Sequence, residues 1–240
     1  LVAPAAGDRM PPDMKILAIE SSTEAASVAL LCGDVLLERD VPGRTHSETL
    51  LPAIRALLGE AGCPLNALDG VAFGAGPGAF TGLRLACGAA QGLAMGIDRP
   101  VVPVGTLEAL ASLYEGDRIF VAMDARMAEV YFAAYRRVGT RLDEVLAPAC
   151  ARPEDVRLPA SGSWAGVGSA FAAYPDRLLP GLGDRLLAVD AAVQPRAGAV
   201  ARLAAVRLAR GEGLDATLAA PLYVRDKVAL TTAERLAQGG

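Results

Sequence analysis

Three short apolar segments follow one another near the start of the sequence, before any helical spacing appears, and few folds accept that order. Lys15-Ile-Leu-Ala-Ile-Glu20 is a continuous apolar run, which is how a strand covered on both faces reads. After the polar corner Glu20-Ser-Ser-Thr23, Ala26–Cys32 is expected as a second strand and Val35–Asp40 as a third. Gly33-Asp34 between them fits a two-residue hairpin turn, with Gly supplying a positive φ.

A helix should follow. Thr45 and Glu48 stand at the spacing of a capping box, and Leu50, Leu51, Ile54, Leu57 and Leu58 fall on one helical stripe. Pro52 inside that stripe suggests a regular helix beginning near Leu51, with Gly62 and Pro64 closing it. Val71–Gly74 is then a buried strand, Phe80–Met95 a helix of small residues, Val101–Val104 a strand and Thr106–Glu115 a helix. The order βββαβαβα is that of half of an actin-like, ribonuclease-H-type α/β fold, by analogy of order alone.

A second half begins in the same way, with Ile119–Asp124 and Glu129–Arg136 strand-like around an Ala125-Arg126-Met127 turn. Beyond it the repetition fades: residues 147–163 read as loop around Pro148, Pro153 and Pro159. Trp164–Val167 fits a strand, Arg196–Arg210 a helix stopped by Gly211, and Pro221–Asp226 an extended segment. The expected organisation is a disordered extension over residues 1–13, with Met10 or Met14 as the start. An N-terminal lobe over 14–115 and a smaller, reduced lobe over 116–240 follow it.

Residues 74–84, GAGPGAFTGLR, pack four glycines and a proline between a strand and a helix. Such a stretch either cradles phosphate or turns a tight corner. Gly74-x-Gly76-x-x-Ala79 matches part of a dinucleotide fingerprint. Yet Pro77 removes one of the N–H groups a cradle would use, and no acidic residue ends the next strand. No Gly-Lys-Ser/Thr closes it as a P-loop. The corner reading lets Gly76 and Gly78 take positive φ, and Gly82, Ala86 and Gly92–Gly96 leave faces where another helix could approach closely.

Charge and residue counts narrow the chemistry. With 23 basic and 27 acidic residues the net charge is −4, and the arginines are scattered, so nucleic acid would be held chiefly by another subunit. The four cysteines are widely spaced, which fits a reducing compartment. No apolar run reaches the roughly 20 residues a membrane-spanning helix needs. His46 is the single histidine, so a two-histidine metal site is excluded and a Ser–His nucleophile would need a distant serine.

Taken together, MKILAIESST (14–23), HSETLLP (46–52), GAGPGAFTGLR (74–84), PVGTLEALA (103–111), DARMAEVY (124–131) and PLYVRDKVALT (221–231) resemble the TsaB, or YeaZ-like, family. The likeness covers nearly everything from Met14 onward, with Glu20 standing where the family often has Asp. It implies a non-catalytic, cytoplasmic subunit of the bacterial machinery that makes threonylcarbamoyladenosine on tRNA, binding its catalytic TsaD-type paralogue. A TsaE-type ATPase would join through the complex, tRNA would be met only indirectly, and the chain alone would form a homodimer. The paralogue's two-histidine metal site cannot be built from one histidine. No catalytic residue, metal or cofactor of its own is expected, and an ADP or ATP at a subunit junction of the complex stays open.

The resemblance puts the partner surface on helices 47–61 and 80–95. Candidate contacts are His46, Glu48, Leu51, Ile54, Arg55 and Leu58 on the first, and Phe80, Thr81, Leu83 and Arg84 on the second. His46, Ser47 and Glu48 read equally as a plain helix start, and Thr81 as a cap of its own helix. Glu20, Ser21 and Asp124 are candidates for the remnant of a nucleotide cleft, against simple capping of backbone. The tail residues Tyr223, Arg225 and Asp226 are expected to tie the tail to a lobe. Gly166-x-Gly168-Ser169-Ala170 reads as an ordinary loop or an adenosine-binding turn. An ATP-hydrolysing enzyme of the same fold, and a peptidase acting on the paralogue, are the alternatives.

Overall fold

A computed structural model describes Pro11, residues 13–42 and residues 46–225. The Thr45 cap, Asp226 and the tail beyond it, and most of the 1–13 extension lie outside the described residues.

The first three strands are β1 (Lys15–Glu20), β2 (Ser27–Cys32) and β3 (Val35–Asp40), joined as an antiparallel meander. Gly33 in the hairpin takes φ 53°. Helix α1 (His46–Glu60) leads to β4 (Gly70–Gly76), α2 (Phe80–Ile97), β5 (Val101–Gly105) and α3 (Thr106–Ser112). Strand β4 runs parallel to β1, and β5 parallel to β4, giving the order β3-β2-β1-β4-β5. Both faces of this sheet are covered. Leu17 and Ile19 of β1 point to the side of α1 and α2, while Ile16 and Ala18 point to the opposite side. That two-sided burial is why β1 reads as one apolar run.

Two expectations for this half need correction. Helix α1 does not begin near Leu51: it starts at His46, with Pro52 in its interior. Leu50 is fully buried against the core, so packing holds the turn ahead of Pro52 that local propensity leaves open. Helix α3 ends at Ser112, three residues short of Glu115.

The second half comprises β6 (Arg118–Asp124), β7 (Val130–Val138), β8 (Arg141–Ala151), β9 (Trp164–Val167), helices α4 (Ala170–Ala173) and α5 (Pro175–Leu182), and β10 (Leu186–Asp190). Its sheet order is β10-β9-β6-β7-β8, with the same parallel and antiparallel pairings as the first. The repeat does not fade in its strands. Residues 147–151, expected as loop, belong to β8. Pro148 is accommodated because β8 is an edge strand and its register shifts nearby, the two settings in which a strand accepts proline. The reduction lies in the helices: where α1 joins β3 to β4, a single 3₁₀ turn (Pro153–Asp155) stands between β8 and β9.

The chain then crosses back. Helix α6 (Ala197–Ala209) covers the free face of the first sheet, packing its alanines on Ile16, Ala18, Ala29 and Leu31. Arg207 binds Glu108 of α3 at 2.5 Å and the Pro103 carbonyl at 2.7 Å. Leu107 and Leu110 of α3 pack in turn on Ile119 and Val121 of the second sheet. The 116–240 segment thus supplies part of the first half's core.

Candidate functional site

The glycine-rich corner is where the two readings of the sequence separate. A Cβ on Gly74 would lie 2.0 Å from Glu20 Oε2, on Gly78 2.5 Å from Ser22 Cβ, and on Gly82 1.8 Å from the Ser21 carbonyl oxygen. Three glycines at a spacing of four therefore seat the Glu20–Ser22 corner against β4 and the start of α2. Ala79 N–H donates to the Ser22 carbonyl at 2.7 Å, and the Ser21 hydroxyl donates to the Gly82 carbonyl at 2.8 Å. Gly76 takes φ 109°, as expected, whereas Gly78 is not among the positive-φ residues; close packing is its reason. The segment turns a corner.

Glu20 and Ser21 accordingly serve packing. Glu20 is fully buried; Oε1 accepts the Ser22 N–H at 2.6 Å and Oε2 has no hydrogen-bond partner. Burial pushes its carboxyl pKa up, and the backbone N–H groups of Ser22 and Ser21 pull it back only in part. The Ser22 hydroxyl itself lies beside that carboxyl without hydrogen-bond geometry.

Asp124 does line the gap between the two halves, a cavity of about 560 Å³. Its Oδ1 accepts the Tyr174 hydroxyl and the Arg126 N–H, both at 2.8 Å, and its own N–H donates to Ser169 Oγ at 3.1 Å. Burial and the nearby Asp124 carboxylate raise the Tyr174 phenol pKa. Arg126 also pairs with Glu24 across the gap at 2.8 Å. Of Glu20, Ser21 and Asp124, only Asp124 faces the cavity; Ser169, from the segment weighed as a loop or an adenosine-binding turn, lines it as well, and so do Ser22, Thr23 and Arg126, which were not candidates for the cleft. The Gly-x-Gly-Ser motif was the available signal for Ser169: Gly168, at φ 114°, lets the loop approach Ala122, where a Cβ would lie 2.6 Å from the carbonyl oxygen. Among the described residues no group of three His, Cys, Asp or Glu side chains could hold a metal ion.

The predicted partner residues split into three groups. Leu51, Ile54, Arg55 and Leu58 of α1, Cys63 and Leu65 of the connection that follows it, and Leu93 of α2 line an open apolar groove of about 610 Å³. Leu51 is 53% exposed, whereas Ile54 and Leu58 form the floor and belong to the core. Along α2 the outward residues Arg84, Gly88, Gly92, Met95 and Gly96 are exposed, and a Cβ on Gly88, Gly92 or Gly96 would meet nothing within 4 Å. His46 and Glu48 stand in the first turn of α1, His46 half-buried and Glu48 exposed. Phe80, Thr81 and Arg84 are exposed at the start of α2, and Leu83 is buried beneath Gly76. Thr81 does not cap: the cap position is Ala79, with no side-chain bond.

The tail reaches this end of α2. Leu222 N–H donates to the Ala75 carbonyl at 2.7 Å, the Tyr223 hydroxyl accepts from Arg84 Nε at 3.0 Å, and Tyr223 and Phe80 rings lie 5.6 Å apart. Tyr223 and Arg225 tie the tail down, as expected.

Comparison with known proteins decides the family. Residues 40–174, more than half of the chain, match the model of the TsaD family, described as tRNA N6-adenosine threonylcarbamoyltransferase. The chain is 36% identical over 228 residues to the tRNA threonylcarbamoyladenosine biosynthesis protein TsaB of Escherichia coli, covering 90% of this chain and 96% of that one. The chain belongs to the TsaB family. The Haemophilus influenzae TsaB is 35% identical over 231 residues, covering 90% and 95% respectively. The solved structure of YeaZ from Pseudomonas aeruginosa superposes with a TM-score of 0.79 at 39% identity, covering 88% of this chain and 99% of that one. A second Pseudomonas aeruginosa structure, titled as an uncharacterised protein similar to peptidase YeaZ, gives 0.81 at 40% identity, covering 88% and 100%. In this TsaB-family chain, no described helix is long and apolar enough to cross a membrane.

Proposed function

We propose that this chain acts in threonylcarbamoyladenosine biosynthesis on tRNA as a scaffold that docks a TsaD-type catalytic paralogue through α1 and α2, without catalysing the transfer itself. The observation that carries this reading is the open groove between the helices. Leu51 presents a large apolar side chain to solvent, and the Gly88-Gly92-Gly96 row leaves α2 bare enough for a partner helix to approach its backbone. Helices of that kind pack through small residues at close interaxial distance.

The same surface would close a homodimer when the paralogue is absent, since one groove can meet another about a two-fold axis. A TsaE-type ATPase would reach the chain through the paralogue. With a net charge of −4, tRNA contact would be indirect, and the free cysteines Cys32, Cys63, Cys87 and Cys150 suit a protein working in the reducing cytoplasm. No cofactor belongs to the chain in this reading, and any ADP or ATP would sit at a subunit junction. Glu20 lies buried beneath the corner, and Asp124 Oδ1 accepts from Tyr174 and Arg126, which supports a structural reading of both carboxylates.

The test is an omission assay. The paralogue, the ATPase partner, a threonylcarbamoyl-AMP synthase, ATP, threonine, bicarbonate and tRNA are combined with and without this chain, and the modified nucleoside is measured. Product should depend on the chain, while the chain alone should make none and turn over no ATP. Equal product without it would refute the scaffold role.

A further inference from the structure

Within four residues the tail passes from one sheet to the other. Leu222 is hydrogen-bonded to β4 of the first, and Val224 packs beside Leu107, Met123 and Tyr131. Arg225 ends on the β6–β7 turn: its Nη2 donates to the Ala125 carbonyl at 2.9 Å and pairs with Glu129 Oε2 at 2.6 Å, under a side-chain exposure of 14%. Its Nη1 lies 3.7 Å from Met127 Sδ, and its guanidinium 5.7 Å from the Tyr131 ring centre.

The turn it grips is strained. Arg126, Met127 and Ala128 take φ of 60°, 54° and 57°, three successive non-glycine residues in the left-handed region. Each such residue costs roughly 1 kcal/mol or more and persists only where its surroundings over-determine it. Here those surroundings are Asp124, which accepts the Arg126 N–H, and Arg225, which occupies the Ala125 carbonyl. Between Leu222 and Arg225 lies Tyr223, held by Arg84 and stacked near Phe80 on the first turn of α2.

We propose that the Pro221–Arg225 strap couples the α1–α2 docking face to the β6–β7 turn at the gap between the sheets, so that partner docking at α2 and ordering of residues 124–129 are one linked equilibrium. This rests on the docking reading above. Arg225 is the positioning residue: it does not touch the docking face, and acts through the strap. By linkage, whatever loosens the turn weakens docking, and docking tightens the turn, by the same factor.

The experiment is amide exchange on the full chain with and without a saturating TsaD-type paralogue, alongside affinity measurements on wild type and Arg225→Gln. The amides of Ala125, Arg126 and Glu129 are each hydrogen-bonded within the turn and report its opening. Expected are slower exchange over 124–129 when the paralogue binds, and at least about 5-fold weaker paralogue binding by Arg225→Gln. In that variant β1 and β4 should stay as protected as in wild type. Bound paralogue with unchanged turn exchange, or wild-type affinity in Arg225→Gln, overturns the coupling and leaves the docking reading standing. A wild-type chain that binds no paralogue overturns both. Since Met127 is exposed, direct contact is distinguished by Tyr223→Ala at saturating paralogue: protection of the turn should be lost, and its persistence overturns the strap as the link.

Discussion

Glu20 shows how a strand-end carboxylate that reads as a cleft residue can be taken up by the packing of the fold. Strand-end carboxylates attract a cleft reading, and nothing local in Lys15-Ile-Leu-Ala-Ile-Glu20 says that Gly74 will leave room for the carboxyl under the corner. Because burial raises its folded pKa above the ordinary carboxylate value, the protonated form favours folding. That contribution is complete below the unfolded pKa and is lost as pH rises through the folded one. Glu20→Gln should therefore melt above wild type at pH 8, with the gap narrowing toward pH 4, as thermal melts across that range would show. A gap that is constant with pH would contradict it. The glycines of α2 make the same point. Helix propensity favours alanine over glycine by about 1 kcal/mol at any interior position. Gly92→Ala, facing open space, should gain about that much. Gly82→Ala, with its Cβ 1.8 Å from the Ser21 carbonyl oxygen, should instead lose about 1–3 kcal/mol or more. Denaturant titration of the two variants tests whether the signs differ.

At the level of elements, local pattern placed most strands and helices, and erred where packing or edges take over. Alternation and apolar runs sufficed for β1 to β5. They did not suffice for β8, whose Pro148 is tolerated only because the strand has a free edge, nor for α1, whose first turn is held by Leu50. The groove on α1 and α2 was legible as a helical stripe. Which of its residues are free was not: Ile54, Leu58 and Leu83 lie on the inward side, and that depends on the sheet beneath. Gly92→Leu fills the bare face of α2 without touching the core. It should leave the melting temperature at or above that of wild type while weakening paralogue binding about 10-fold or more by calorimetry, a loss of about 1.4 kcal/mol. Unchanged affinity would place the partner elsewhere.

For the whole molecule, the decisive feature is that the halves are not independent. Helix α6 follows the second sheet in sequence yet completes the first, with Ala197, Ala201 and Ala204 among the residues buried on it. A chain ending at Asp190 would expose the apolar side of β1, β2 and β4. It should be recovered as aggregate, or as a partly folded species with fast amide exchange throughout β1, whereas the full chain protects that strand. A soluble, cooperatively melting truncation would show that the first sheet stands without α6.

The sequence by itself determined the elements of the first half, the repeat's opening strands, the absence of a two-histidine site and the family resemblance, because spacing, turn chemistry and residue counts are local properties. Tertiary structure alone decided which glycines are obligatory, that Glu20 is buried while Asp124 faces the gap, that the second sheet repeats the first in full, and that α6 and the strap return to the first half. Those outcomes depend on contacts between residues up to 170 positions apart, such as the Ala197 N–H on Ser27 Oγ. No window of sequence contains both partners.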